Sequence, residues 1–269
     1  SKNVKASPPM LLLVDAGNTN TVFGLSEPDS DGISATLRFA SSRERTADEW
    51  FALLQPNLRT AGADSVPITG MIVSSVVPAI TLHIAELGRR HFALEPLVVN
   101  ATFDLGIRVE VDSPSEVGTD RLVNSAFAYA RLGGPTVVVD LGTATKIEAV
   151  SEDGAFLGGV IAPGLGLSLD TLASRAARLF AVELTPPPSV IGRNTVAAVQ
   201  SGVVLGHVAM IEGMLARIEA EHGRPRHVVL TGGYGSVVAG ILHGVTHHIP
   251  DLTLLGLRYL LLRSGAAGS

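Results

Sequence analysis

VVVDLGTAT, residues 137–145, opens with three β-branched residues and no turn former, the composition of a buried strand. The strand ends on a carboxylate, Asp140, and a short turn follows that carries Gly142 and the hydroxyls of Thr143 and Thr145. Backbone N–H groups and hydroxyls in such a turn can approach phosphate oxygens, while the carboxylate holds a cation nearby. The phrase occurs once earlier, as LLLVDAGNT at residues 11–19, where aligning Asp15 with Asp140 also aligns Gly17 with Gly142. Two copies about half a chain apart predict a duplicated fold whose halves face one site. VVLTGGYG, residues 228–235, is a further strand that runs into the pair Gly232 and Gly233, where a flat or charged ligand can approach the backbone closely. A single DxG turn is weak, because many hairpins carry one; two matched copies with a glycine pair are far more specific.

Composition narrows the function classes. The chain has 269 residues, room for one large domain or two ordinary ones. It is 46% hydrophobic and only 17% charged, against roughly 25% charged in an average domain, which predicts extensive burial and room for a subunit interface. There is no cysteine, so disulfides and thiolate metal sites are excluded, and a reducing cytoplasm is the expected compartment. A net charge of −5 without a basic run argues against nucleic acid as a partner. No apolar run reads as long enough to cross a bilayer, so no membrane partner is expected. Residues 1–9, SKNVKASPP, lack a signal-peptide core and read as a tag remnant or disordered extension before Met10.

Taken in order, the first half predicts strands at 10–14, 21–25 and 33–39, with 15–20 at a hairpin tip. A helix carrying Trp50, Phe51, Leu53 and Leu54 follows, capped by Thr46 or Asp48, with Trp50 read as core. A buried strand at 70–77 is closed by Pro78, and a helix at 80–92 and a strand at 97–99 follow. Residues 103–111 alternate in polarity and 112–114 break the pattern. From Thr119 the periodicity is helical, with Leu122, Val123, Ala126, Phe127 and Ala130 on one face and Gly133 and Gly134 at the end. Asp120 and Arg121 thus stand in the first turn. Asp120 complements the helix dipole, but Arg121 gains nothing from it, which points to an anionic partner. The second half predicts strands at 137–140, 146–151 and 155–161, a helix at 168–180 and a stiff TPPPS connector at 185–189. A long helix at 196–221 ended by Gly223, a strand at 228–230, and helices at 237–242 and 253–262 complete it. The eight histidines carry structural readings: His207 inside a helix, His247 and His248 by a turn, His222 and His227 at the surface. With no HExxH phrase, a zinc site is not expected.

VDAGNTN, RTADEW, SSVVP, VGTDR, VDLGTATK, GGVIAPG, IGRNT and LTGG, in this order, resemble the motifs of the type III pantothenate kinases and cover the chain from about residue 10 to 262. The resemblance implies an α/β fold of two duplicated ribonuclease H-like, actin-like ATPase domains, mixed sheets flanked by helices, at residues 10–118 and 119–269. It implies transfer of phosphate from ATP to the 4′-hydroxyl of pantothenate by a cytoplasmic homodimer with its active site at the subunit interface. By resemblance, Asp15, Ala16, Gly17, Asn18, Thr19, Asn20, Thr21 and Val22 form a phosphate-binding hairpin, with Asp15 holding Mg²⁺ or another divalent ion through water. Gly142, Thr143, Gly232 and Gly233 would contact ATP, and Asp140 would ligate a monovalent cation, K⁺ or NH₄⁺. Gly118, Thr119, Asp120 and Arg121 would bind pantothenate, with Asp120 the general base and Arg121 on the carboxylate, joined by Thr195 of the partner subunit.

Three positions depart from the family pattern: Lys146 where threonine is usual, Glu148 where aspartate is frequent, and Val111 near a common pocket tyrosine. Lys146 reads as a solvated strand lysine, with a place on phosphate as the alternative. Two other functions compete. One is a superfamily kinase for a sugar or acyl acceptor, against which Arg121 argues, since a neutral sugar does not call for it. The other is a non-catalytic accessory factor, against which the joint presence of Asp15, Asp120 and Asp140 argues.

Overall fold

The computed structural model describes residues 9–60, 67–100, 102–175 and 182–266. Most of the expected N-terminal extension and the far end of the helix expected at 168–180 lie outside these residues. The described residues form two compact units.

The first unit is built on a five-stranded sheet of order β3-β2-β1-β4-β5. Its strands are β1 Met10–Ala16, β2 Asn20–Ser26, β3 Ala35–Ala40, β4 Ile68–Ser75 and β5 Leu97–Val98. β1 is antiparallel to β2 and parallel to β4, and Leu11 to Val14 are fully buried, as a central strand with no polar face requires. Two helices cover one face, α1 Ala47–Thr60 and α2 Pro78–His91. Thr46 starts α1 with a capping box: its N–H and hydroxyl donate to Glu49, and the Glu49 N–H donates back to the Thr46 hydroxyl. Trp50, fully buried, stacks at an angle on Phe23 and Phe39 and joins Leu54, Ile84 and Leu87 in the core. α2 begins at Pro78 itself, where the missing N–H costs nothing. His91, the last residue of α2, stacks on Phe51 with ring centroids 4.1 Å apart and pairs with Asp48 at 2.8 Å.

The second unit carries a six-stranded sheet of order β11-β10-β7-β8-β9-β6. Its strands are β6 Arg108–Val109, β7 Thr136–Leu141, β8 Ala144–Val150, β9 Ala155–Pro163, β10 His227–Thr231 and β11 His247–His248. β7 is antiparallel to β8 and parallel to β10, so β9-β8-β7-β10-β11 repeats β3-β2-β1-β4-β5 in order and direction. The duplication read from two DxG phrases is thus a duplication of whole sheets. Only Arg108 and Val109 of the alternating stretch 103–111 pair as strand, because that stretch finds just one partner, the edge of β9.

The helices from Thr119 onward are α3 Thr119–Leu132, α4 Leu165–Arg175, α5 Thr195–Gln200, α6 Gly206–His222, α7 Gly235–Val238 and α8 Leu252–Arg263. The long helix expected at 196–221 is interrupted by a π turn, Ser201–Leu205, between α5 and α6. Together Thr195–His222 is long and apolar enough by length and composition to cross a membrane, contrary to the sequence reading. Its buried stripe of Val204, Val208 and Ile211 packs on Val137, Val139 and Ile147 of the sheet.

The units are not the contiguous halves expected from a cut after residue 118. Ser113–Phe127 and the described residues from Thr253 on group with the first sheet, and Ile107–Asp112 with the second. The reason is packing by α8. Leu254 lies against Gly24 of β2, Gly256 against Val123 of α3, and Thr253 donates to Asn124 at 2.8 Å. Arg258 donates to the Ser26 hydroxyl and to the Pro28 and Ser30 carbonyls, which fastens α8 to the end of β2.

Candidate active site

In the first unit, Asp15 stands near the C-terminal end of β1, half-buried, opposite Val22 on β2 and Ser74 on β4. The hairpin beyond it is tight: the Gly17 N–H donates to the Asn20 carbonyl at 2.9 Å, leaving Asn18 and Thr19 exposed at the tip. Ser41, absent from the sequence-derived set, braces this tip. Its hydroxyl donates to the Gly17 carbonyl at 2.6 Å and shares a hydrogen bond with Thr21, and its N–H donates to the Thr19 carbonyl. Thr21 and Val22 are buried, so their side chains support the hairpin from within.

The start of α3 is clipped to the end of β4. The Thr119 hydroxyl shares a hydrogen bond with Ser74 at 2.9 Å and accepts the Ser75 N–H at 3.1 Å. Since Ser74 is the β4 partner of Asp15, one end of the first sheet gathers Asp15, Ser74, Thr119 and Asp120. Gly118 has no side chain because Asp120 lies over it: a Cβ there would stand 2.7 Å from the Asp120 carboxylate. Beside this corner lies a groove of about 540 Å³, lined by Ser75, Val76, Pro78, Leu82, Val117, Gly118 and Thr119 among others. Arg121 is half-exposed one residue further on.

In the second unit, Asp140 ends β7 as Asp15 ends β1. The Gly142 N–H closes the turn onto the Ala144 carbonyl at 3.1 Å. The LTGG turn lies directly on this one: the Tyr234 N–H donates to the Leu141 carbonyl, and a Cβ at Gly232 would come within 2.5 Å of both Asp140 and the Leu141 nitrogen. With φ +91 as well, position 232 admits only glycine without distortion. Thr143 and Gly233 are exposed, while Thr145 is buried and bonded to Nε2 of the buried His207 at 2.6 Å. Burial pulls the His207 pKa below its ordinary value, because desolvation disfavours the charged ring. Thr195 is exposed at the start of α5, whose N-cap, Asn194, accepts the Ala197 N–H.

Lys146 is not the solvated lysine the sequence suggested. It is the β8 partner of Asp140, and its ammonium lies 2.8 Å from the Asp140 carboxylate, with side-chain exposures of 15% and 13%. The reading failed because strand alternation does not reveal which residue stands across the ladder.

Two cations implied by the family resemblance can be tested on these residues. Among the described residues no group of three or more His, Asp or Glu could hold a metal ion. Mg²⁺ does not require one, since it keeps several waters and takes one or two carboxylates plus substrate phosphates, so Asp15 fits it. A free monovalent cation on Asp140 does not fit, because that carboxylate already faces the ammonium of Lys146.

Two repeats of β-β-β-α-β-α-β, each with an Asp-led turn at the end of its central strand, define a protein of the actin-like ATPase fold. Solved structures agree on the fold. A conserved protein of the Baf transcriptional activator family from Campylobacter jejuni matches with a TM-score of 0.59 at 19% identity, over 95% of this chain and 99% of that one. The inorganic polyphosphate/ATP-glucomannokinase of an Arthrobacter species matches with a TM-score of 0.50 at 14% identity, over 95% and 99%. Both identities are low enough that they speak for the fold alone. The family model for type III pantothenate kinase matches residues 11–217. Type III pantothenate kinases from Acidiphilium cryptum and a Roseiflexus species are 43% and 44% identical, covering 96% and 93% of this chain and 96% and 98% of theirs. The chain belongs to the type III pantothenate kinase family.

Proposed function

We propose that this chain transfers the γ-phosphoryl group of ATP to the 4′-hydroxyl of pantothenate, the first committed step toward coenzyme A. The observation that carries the reading is the corner where Thr119 is held on Ser74 beside Asp15, with the Asp120 carboxylate over Gly118, which lines the groove. Val76, Pro78 and Leu82 suit the dimethyl-bearing part of pantothenate, and Arg121 suits its carboxylate through a two-pronged guanidinium. A neutral sugar would not call for that arginine.

Asp120 orients the acceptor hydroxyl. Its oxygen forms the new bond to the γ-phosphorus as the bond to the ADP oxygen breaks, and the proton passes late to the Asp120 carboxylate. The transition state is loose, so positioning and charge compensation supply most of the rate. The tip at residues 17–20, the turn at residues 142–143 with the Thr143 hydroxyl, and Gly232 and Gly233 serve the ATP phosphates. Asp15 would hold Mg²⁺, which when bound would supply positive charge to the phosphate oxygens.

The working form is a cytoplasmic homodimer in which Thr195 of the partner subunit reaches pantothenate. Exposed apolar side chains in the second unit support an interface there: Ile161, Leu167 and Leu172, and, before and within α5, Val190, Ile191 and Val196. The test of function is an ADP-release assay with Mg·ATP and either pantothenate or mannose. Pantothenate-dependent release is expected; release with the sugar but not with pantothenate overturns the assignment.

A further inference from the structure

The β7–β8 ladder sets Asp140 directly opposite Lys146, and Val138 opposite Glu148. By alternation these four share one face of the sheet, while Val139, Leu141 and Ile147 turn into the core with α6. Two carboxylates therefore lie on this face, and Glu148 is 1% exposed. Lys146 is the cation among them, its ammonium 2.8 Å from Asp140 and its side chain largely withdrawn from water. A lysine is seldom withdrawn in this way unless its charge is matched. Gly232 seals the other side of Asp140, so the pair sits at the junction of the DLGT and TGG turns.

We infer that the ammonium of Lys146 is a built-in monovalent cation for Asp140, so that nucleotide binding and turnover in this chain need no free potassium or ammonium ion. An ammonium group and a potassium ion are close in size and equal in charge. A second cation placed at the same carboxylate would meet the first at short range in a site with little solvent to screen it. A threonine at position 146 would be too short and uncharged to compensate Asp140, so an ion from solution would have to do so. The tether replaces that ion with a charge already in position. The inference rests on the kinase reading for its turnover arm, but not for its binding arm.

The experiment compares the wild-type chain with Lys146→Thr and Lys146→Met in potassium and in tetramethylammonium buffers. Calorimetric titration with a non-hydrolysable Mg·ATP analogue gives nucleotide affinity, and ADP release gives turnover. Wild-type affinity and kcat should agree in the two buffers within about twofold, since no ion is exchanged. Lys146→Thr should lose about tenfold or more in nucleotide affinity in tetramethylammonium and regain most of it in potassium, because a preorganised charge is removed and then replaced. Lys146→Met, which fills the space without charge, should be weak in both buffers. Wild-type activation by potassium of about tenfold overturns the inference, as does a folded Lys146→Thr whose affinity ignores the buffer. If Lys146→Thr does not fold, the wild-type comparison decides alone. The expected binding pattern without pantothenate turnover would uphold the tethered cation and sink the acceptor assignment instead.

Discussion

Asp120, whose carboxylate lies over Gly118 at the clipped start of α3, is the residue we propose as the proton acceptor. Asp120→Asn keeps the size and the fold but removes the proton acceptor. Its kcat should fall by about 10²-fold or more while nucleotide affinity stays near wild type. Steady-state kinetics on the purified variant, with nucleotide titration alongside, checks this, and near-normal turnover would remove Asp120 from the base role. The positions legible in the sequence were those bound to a motif: Asp15 and Asp140 near strand ends by their matched DxG spacing, Asp120 and Arg121 in a helix's first turn. Ser41, Ser74 and Lys146 were not, and the reason is common to all three. Each acts on a partner 20 or more residues away or across a ladder, and neither relation leaves a local pattern in the chain.

At the scale of elements, β8 and α6 are joined by a buried polar contact between Thr145 and His207. His207 lies two residues past the π turn, and the sequence alone predicted an uninterrupted helix there, since widening one turn leaves the apolar periodicity almost unchanged. The folded-state pKa of His207 is lowered by burial, so the unfolded chain binds its proton more readily than the folded one. Stability from this group is therefore fully present above the unfolded histidine value of about 6.5 and is lost as pH falls below it toward the folded value. Melting temperatures of the wild type should decline from pH 7.5 to pH 5.5, values spanning about one unit on either side of that pKa. In His207→Gln this part of the decline should be absent. Parallel melting profiles for the two proteins would show that His207 is not its source. The sheets themselves were largely legible: β1, β4, β7 and β10 are apolar runs bounded by turn residues, and each appears within two residues of its expected limits.

For the whole molecule, the low charge content left room for a subunit interface. Ile191 is 80% exposed and Val190 75%, in the second unit together with Ile161 and Leu167. Covering these with a second copy should give a dimer, and light scattering should report twice the chain's 27.9 kDa. Replacing Ile191 and Leu167 together by Asp should shift the protein toward monomer and lower its activity in step; a monomeric wild type would sink the dimer. The duplication was written in the chain, because two copies of one phrase need only be compared with each other. The domain boundary was not. A single cut after residue 118 respects chain order, but α8 returns to pack on Gly24 and Val123, and burial ignores sequence distance. Strand, turn and motif were thus determined by the sequence alone, because backbone preference and apolar period act over a few neighbouring residues. Which side chains meet, Lys146 with Asp140 above all, was decided only by the tertiary structure, because strand register brings together groups whose attraction depends on distance in space.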